Sequence, residues 1–131
     1  MKNSNVLKVI LFISGLITAS VGGAVLFMPA AFYAANGIDL GSNLSLLNEV
    51  RASGGALFIA GILIVSGSFF ASLRFTAIVV SALLYMAYGL SRILGFVVDG
   101  LPSERLVQAA ALEIIIGVAC ILVFIKYRES V

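Results

Sequence analysis

The chain has 131 residues, of which 62% are hydrophobic and 11% charged, and its mean hydropathy is +1.19. A soluble domain is nearer half apolar and about a quarter charged, so this composition predicts an integral membrane protein with lipid as a partner. The net charge of +2 includes no basic run, which argues against a nucleic-acid partner, and no histidine accompanies the single Cys120, so the sequence predicts no metal site and no cofactor.

Breaks in hydropathy divide the chain into four apolar segments, each near the twenty or so residues that cross a bilayer. Alternating polarity, as in the strands of a membrane β-barrel, is absent from the sequence. The fold class is therefore an all-α membrane protein, an antiparallel bundle of four transmembrane helices in a single domain, residues 1–131. The predicted spans are about 6–28, 49–70, 74–98 and 103–126.

The first span is preceded by Lys2 and Lys8, as a signal peptide would be. Its apolar run, 9–28, is longer than the roughly 7–15 residues of a signal peptide core, which favours a membrane span. A cleavable signal is the alternative, because residues 18–20 are small enough to resemble a processing site.

The loop after the first span, 29–48, is long enough to hold structure of its own. Pro29 suits the first turn of a helix, and Asn36 followed by Gly37 is a good stop signal. We predict a short interfacial helix here, with Phe32 and Tyr33 at headgroup level.

The same loop is a second candidate site, because it is rich in side-chain oxygens. Asn36, Asp39, Asn48 and Glu49 are its candidate residues. A capped turn between two helices is favoured over a ligand- or cation-binding loop, and the spacing does not match an EF-hand. Asn43 could cap the second span, which would then begin before Glu49.

Basic residues are distributed unevenly between the two ends of the bundle. The termini and the turn between the second and third spans carry Lys2, Lys8, Arg74, Lys126 and Arg128. The positive-inside rule therefore predicts a multi-pass protein with both termini in the cytoplasm.

Small residues recur at helical spacing in three of the spans. They are Gly15, Ala19 and Gly23 in the first span, Ala52, Ala56 and Ala60 with Gly54, Gly55 and Gly61 in the second, and Ala109, Gly117 and Cys120 in the fourth. In lipid, such faces mark close helix contacts. Packing within the bundle is the favoured interpretation, and a homo-oligomer interface is the other.

Two charges, Arg92 and Glu113, lie inside the third and fourth spans at depths that differ by about one helical turn. A charge at mid-bilayer costs about 2.5–3.5 kcal/mol to insert, so we predict that they form an ion pair. Tyr85 and Tyr88 share the Arg92 face, and Arg51 enters from the second span at the same end. Two interpretations stay open: a clasp that fixes the helices, and an outward-facing polar pocket.

Several segments resemble an uncharacterised bacterial family of four-helix integral membrane domains, and more loosely the small proteins of the DoxX type. The segments that carry the resemblance are 36–39, 48–55, 85–92, 99–100 and Glu113. The resemblance implies a bacterial inner-membrane location and brings no catalytic assignment.

The leading functional hypothesis is a non-enzymatic protein that binds a small amphipathic or anionic ligand. Arg51 and Arg92 would donate hydrogen bonds to the ligand, Glu113 would set the arginine geometry, and Tyr85 and Tyr88 would complete the pocket. The alternatives are a proton-coupled small transporter that uses Glu113, and a structural or assembly subunit.

Overall fold

A computed structural model describes residues 4–129 of the chain. Five α-helices and one 3-10 turn follow one another: α1 (Asn5–Phe27), α2 (Pro29–Ala35), α3 (Leu44–Phe69), the turn Ala71–Leu73, α4 (Arg74–Asp99) and α5 (Glu104–Glu129). Within the described residues, α1, α3, α4 and α5 are long and apolar enough to cross a membrane. The predicted four-span all-α fold is confirmed.

The main difference from the predicted boundaries is the start of α3. The helix begins at Leu44 rather than near Glu49, because the Asn43 side chain accepts a hydrogen bond from the Leu46 amide at 3.1 Å and so caps the first turn. The short helix predicted after Pro29 is present as α2, and the chain leaves it through Gly37 in the left-handed region, with φ +81°.

The α1–α3 pair is held by glycines that bring the two backbones together. A Cβ on Gly15 would lie 2.6 Å from the Val65 amide nitrogen, and one on Gly54 would lie 2.6 Å from the Leu26 amide nitrogen. Gly61 meets the backbone of Ala19 in the same way. The glycines predicted at these faces are therefore contacts inside the bundle, whereas Ala52 and Ala56 of α3, which belong to the predicted face, are exposed.

The second close pair is α4 and α5, and the two pairs join mainly at the end that holds the chain termini, here called the terminal end. Apolar side chains from all four spans meet there: Leu7, Leu11, Ile64, Ala77, Ile78, Val123 and Tyr127. At the opposite end, called the loop end, α2 and the α4–α5 connection lie over the bundle. Among the described residues, no Cα atom of α3 lies within 8 Å of a Cα atom of α5, which leaves room between the pairs away from the terminal end.

Arg74 lies at the terminal end and is 3% exposed. Its guanidinium donates to the carbonyl oxygens of Gly67 at 2.8 Å and Ser68 at 3.2 Å, which are among the last carbonyls of α3. Lys8 and Lys126 belong to the same end, whereas Lys2 lies outside the described residues. Arg74 thus fixes the α3–α4 turn in addition to adding positive charge.

Candidate functional site

The centre of the candidate site is an ion pair between α4 and α5. The Nε of Arg92 donates to both carboxylate oxygens of Glu113, at 2.8 Å to Oε1 and 3.0 Å to Oε2. The predicted ion pair is therefore present. The side chains are 29% and 15% exposed, so the pair is neither at the open surface nor sealed in the core.

The rest of the Arg92 guanidinium has no hydrogen-bond partner within residues 4–129, because Glu113 contacts only Nε. The ring of Tyr88, one turn earlier on α4, lies 5.9 Å from the guanidinium carbon, within range of a cation–π contact. Glu113 and Tyr88 therefore orient the arginine while Nη1 and Nη2 stay available as donors.

The ion pair borders a cavity of two adjoining chambers between the helix pairs. The mouth chamber, of about 310 Å³, lies at the loop end, and the inner chamber, of about 150 Å³, lies nearer the middle of the bundle and is itself open on one side, at the exposed Leu112. Both chambers are lined by Val21, Leu57, Tyr88, Arg92, Ala109 and Glu113. The shared lining places the ion pair at the junction of the two chambers.

The inner chamber is lined mostly by aliphatic side chains, and Tyr85 and Thr18 form part of its wall. The Tyr85 hydroxyl donates to the Ser14 carbonyl oxygen at 2.6 Å and accepts from Thr18 Oγ1 at 2.8 Å. The same polar layer continues to Ser81, which lies 3.2 Å from Ser14 Oγ and 3.1 Å from Cys120 Sγ. Tyr85 therefore belongs to the site as a wall residue with a satisfied hydroxyl.

The mouth chamber is covered by α2 and the residues that follow it. Phe32, Tyr33, Asn36 and Ile38 all line it. Ser103 Oγ donates to the Asn36 carbonyl oxygen at 2.9 Å, which ties the end of α2 to the α4–α5 connection. The helix predicted to lie at the interface thus contributes directly to the wall of the cavity.

Tyr33 is the residue of this cover with the most direct relation to the ion pair. Burial, followed by the neighbouring Tyr88, raises the pKa of the Tyr33 hydroxyl, and Arg92 acts in the opposite direction. The hydroxyl therefore keeps its proton at neutral pH and can donate a hydrogen bond. The position of Tyr33 at headgroup level stays a prediction, and its place in the cavity wall is an additional feature that nothing in the sequence shows.

Arg51 does not join this site, and the prediction that it lies beside Arg92 in the cavity is wrong. Its Nη1 donates to the Leu26 carbonyl oxygen at 2.6 Å, and Arg51 is absent from the lining of both chambers. Leu26 is in the last turn of α1, where helix carbonyls lack partners within the helix. The arginine is drawn to that helix end because it supplies a cationic donor there.

The loop residues proposed as a second site do not converge. Asp39 Oδ1 accepts from the Gly41 amide at 2.9 Å in a local turn, and Asn48 and Glu49 are exposed on α3. Asn36 alone reaches the cavity, and its side-chain amide donates to the Phe32 carbonyl oxygen at 2.9 Å. Residues 4–129 contain no cluster of acidic or cysteine side chains that could hold a metal ion.

Fold and site together define a four-span, all-α membrane protein whose interior holds an ion pair at the border of a cavity. The family model described as Domain of unknown function (DUF4345) matches residues 6–124, and the chain belongs to this family. Comparison with curated proteins and with solved structures gave no match. The membership agrees with the resemblance to an uncharacterised four-helix domain, whereas the likeness to DoxX-type proteins stays a prediction.

Proposed function

We propose that this protein is a non-enzymatic binding protein of the bacterial inner membrane, which holds a small amphipathic ligand in the cavity beside Arg92 and Glu113. The termini lie in the cytoplasm and the mouth chamber opens toward the outer side. The basic residues of the terminal end, Lys8, Arg74, Lys126 and Arg128, support this orientation through the positive-inside rule.

The observation that carries the proposal is the position of the unused edge of Arg92. Nη1 and Nη2 have no partner among residues 4–129, and the arginine borders both a mouth chamber with polar lining residues and an aliphatic inner chamber. A ligand with a polar end and an apolar end matches this arrangement. The polar end accepts hydrogen bonds from the guanidinium, while the apolar end lies among side chains such as Ile17, Leu84 and Leu112.

The proton-coupled carrier is the alternative, and one observation favours it. Glu113 borders both chambers, so a proton reaching the cavity also reaches the carboxylate. The two functions separate with Glu113→Gln in proteoliposomes. If the protein is a carrier, the Glu113→Gln variant stays folded but loses the pH-dependent ligand exchange of wild type. If it is a binding protein, neither wild type nor the variant shows ligand flux coupled to the pH gradient.

The clasp interpretation is compatible with a binding site, because the bond that joins α4 to α5 uses only the Nε of Arg92.

A role as an assembly subunit requires an exposed surface that can pack against another chain. The glycines of α1 and α3 are used inside the bundle, whereas Ala52 and Ala56 of α3 are exposed. A homo-oligomer would form through that outward face of α3.

The test fills the cavity without altering the ion pair. Ala109 borders both chambers, and Ala111 of the same helix is exposed outside the cavity lining. Wild type, Ala109→Leu and Ala111→Leu are purified in native-lipid discs, and their bound small molecules are compared by mass spectrometry. We expect a molecule that copurifies with wild type and Ala111→Leu and is depleted from Ala109→Leu. Identical profiles in all three would contradict the proposal.

A further inference from the structure

The charge of the cavity is the starting point. Among residues 4–129, the charged side chains that line the two chambers are Arg92 and Glu113 alone. They contact each other through both carboxylate oxygens, at 2.8 and 3.0 Å. Arg51, the other cation expected here, is engaged by the Leu26 carbonyl oxygen instead. The cavity therefore carries no net charge when both members of the pair are ionised.

Hydrogen-bond donors nevertheless exceed acceptors at the junction of the chambers. Arg92 keeps Nη1 and Nη2, and the hydroxyls of Tyr33 and Tyr88, which line the mouth chamber, make no hydrogen bond within residues 4–129. The raised pKa of Tyr33, caused first by its burial, keeps that hydroxyl protonated. The site thus favours a ligand oxygen that accepts hydrogen bonds.

A second carboxylate is a poor match for this oxygen. Glu113 already neutralises Arg92, so an anionic ligand at Nη1 and Nη2 would place two negative charges on one cation. In a half-buried cavity the repulsion between the two anions is weakly screened. This repulsion offsets the attraction of the anionic ligand to Arg92, so the ligand binds no more tightly than a neutral acceptor. A carbonyl oxygen accepts the same hydrogen bonds without that repulsion.

The volume of the inner chamber indicates what apolar group fits beside the ion pair. This volume is about 150 Å³. An enclosed apolar cavity of about that volume in another protein binds benzene, so the space accommodates one ring. The chamber is open on one side, where the lining residue Leu112 is exposed, so a longer apolar group could extend out of it. Tyr85, at its wall, already donates its proton to the Ser14 carbonyl oxygen, so the chamber offers the far end of the ligand no hydroxyl donor from this residue.

We infer that the ligand is an uncharged carbonyl compound with a ring-sized apolar body. Its carbonyl oxygen lies at Arg92, between Tyr33 and Tyr88, and its ring lies in the inner chamber. This inference rests on the proposed function, and it narrows the amphipathic or anionic ligand predicted from the sequence to a neutral amphipathic one.

The experiment compares 4-fluoroacetophenone, which is neutral, with 4-fluorobenzoate, which has the same ring and carries a carboxylate. Binding to the protein in lipid nanodiscs is followed by fluorine NMR, and the site-specific part is the difference between wild type and Ala109→Leu. We expect site-specific binding of the ketone at least about tenfold tighter than that of the carboxylate. Tyr33→Phe, which removes one donor outside the spans, should weaken ketone binding about 2- to 10-fold.

Glu113→Gln supplies the reciprocal test, because it removes the neutralising charge beside Arg92. Benzoate binding should then strengthen relative to ketone binding, with folding checked by circular dichroism. If wild type bound 4-fluorobenzoate more tightly than 4-fluoroacetophenone, the inference of a neutral ligand would be overturned, whereas the proposed binding site would not be contradicted. Equal behaviour of wild type and Ala109→Leu toward both probes would overturn the inference about the cavity, and the copurification comparison then decides the proposed function separately.

Discussion

Arg92 of α4 donates Nε–H to both oxygens of Glu113 on α5, at 2.8 and 3.0 Å, and leaves Nη1 and Nη2 without a partner among residues 4–129. One bond thus serves two purposes. It joins two neighbouring spans at mid-bundle, where an isolated charge would be costly, and it presents a neutralised, oriented donor group to the cavity.

The stability of the bundle should depend on this pair. Arg92→Ala and Glu113→Ala should each lower the free energy of unfolding by about 1.5–3 kcal/mol, because each leaves a half-buried charge without its counterion. The double variant Arg92→Glu, Glu113→Arg should recover part of the loss. Unfolding is measured by steric trapping in bicelles.

The control for that series is Arg105→Ala, because Arg105 is exposed at the loop end of α5. Its effect should stay within about 0.5 kcal/mol of wild type. If both alanine variants of the ion pair were as stable as Arg105→Ala, the pair would have no structural role.

The close approach of α1 and α3 predicts a sharp difference between two glycines. A Cβ on Gly54 would lie 2.6 Å from the Leu26 amide nitrogen and 2.8 Å from Val25 Cγ1, so Gly54→Ala should destabilise the protein by about 1–3 kcal/mol through overpacking. A Cβ on Gly95 of α4 would meet nothing within 4 Å, so Gly95→Ala should be neutral or stabilising by up to about 1 kcal/mol. Thermal unfolding in detergent compares them, and equal losses would contradict this packing.

The two tyrosines predicted together in the site should differ in their effect on stability. Tyr85→Phe removes the donor to the Ser14 carbonyl oxygen and the acceptor for Thr18, which should cost about 0.5–1.5 kcal/mol. Tyr88→Phe removes a hydroxyl without a partner in the described part of the chain and should change stability by less than about 0.5 kcal/mol. Chemical unfolding of the two variants side by side measures this, and a larger loss in Tyr88→Phe would reverse the assignment.

The proposed orientation predicts which loop can be labelled from outside the cell. Ser42 and Ser72 are exposed at opposite ends of the bundle, and the native Cys120 is 1% exposed. On intact cells, a membrane-impermeant maleimide should modify Ser42→Cys, and it should modify Ser72→Cys only after permeabilisation. The opposite pattern would place the termini outside.

Much of the fold follows from the sequence because the bilayer admits so few solutions. Long apolar segments must form helices, because a helix satisfies the hydrogen bonds of its own backbone groups, and this is why the spans could be predicted. Charged side chains within the spans are costly unless they pair, and this is why the contact between Arg92 and Glu113 could be predicted. The glycines of α1 and α3 could be assigned to a contact face because helices in lipid associate through close packing, which small residues allow.

The features that the sequence does not reveal depend on how side chains and short helices are oriented in the folded bundle. Arg51 lies at the expected end of the bundle, but a free carbonyl at the end of α1 competes for its guanidinium, and the spacing along α3 does not reveal that competitor. Tyr33 belongs to a short helix, and its place in the cavity wall depends on tertiary contacts such as the hydrogen bond from Ser103 Oγ to the Asn36 carbonyl oxygen, which the sequence does not reveal. The difference between the aliphatic lining of the inner chamber and the more polar lining of the mouth chamber likewise appears only once the helix pairs are placed.

The most direct test of the account is an experimental density map of the protein purified with its native lipids, inspected beside Arg92. If the cavity binds a ligand, non-protein density should lie within hydrogen-bond distance, about 2.7–3.2 Å, of Nη1 or Nη2 and extend toward the side chains of the inner chamber. A closed bundle, in which neighbouring side chains fill the chamber and protein groups satisfy both Nη atoms, would contradict the proposed binding.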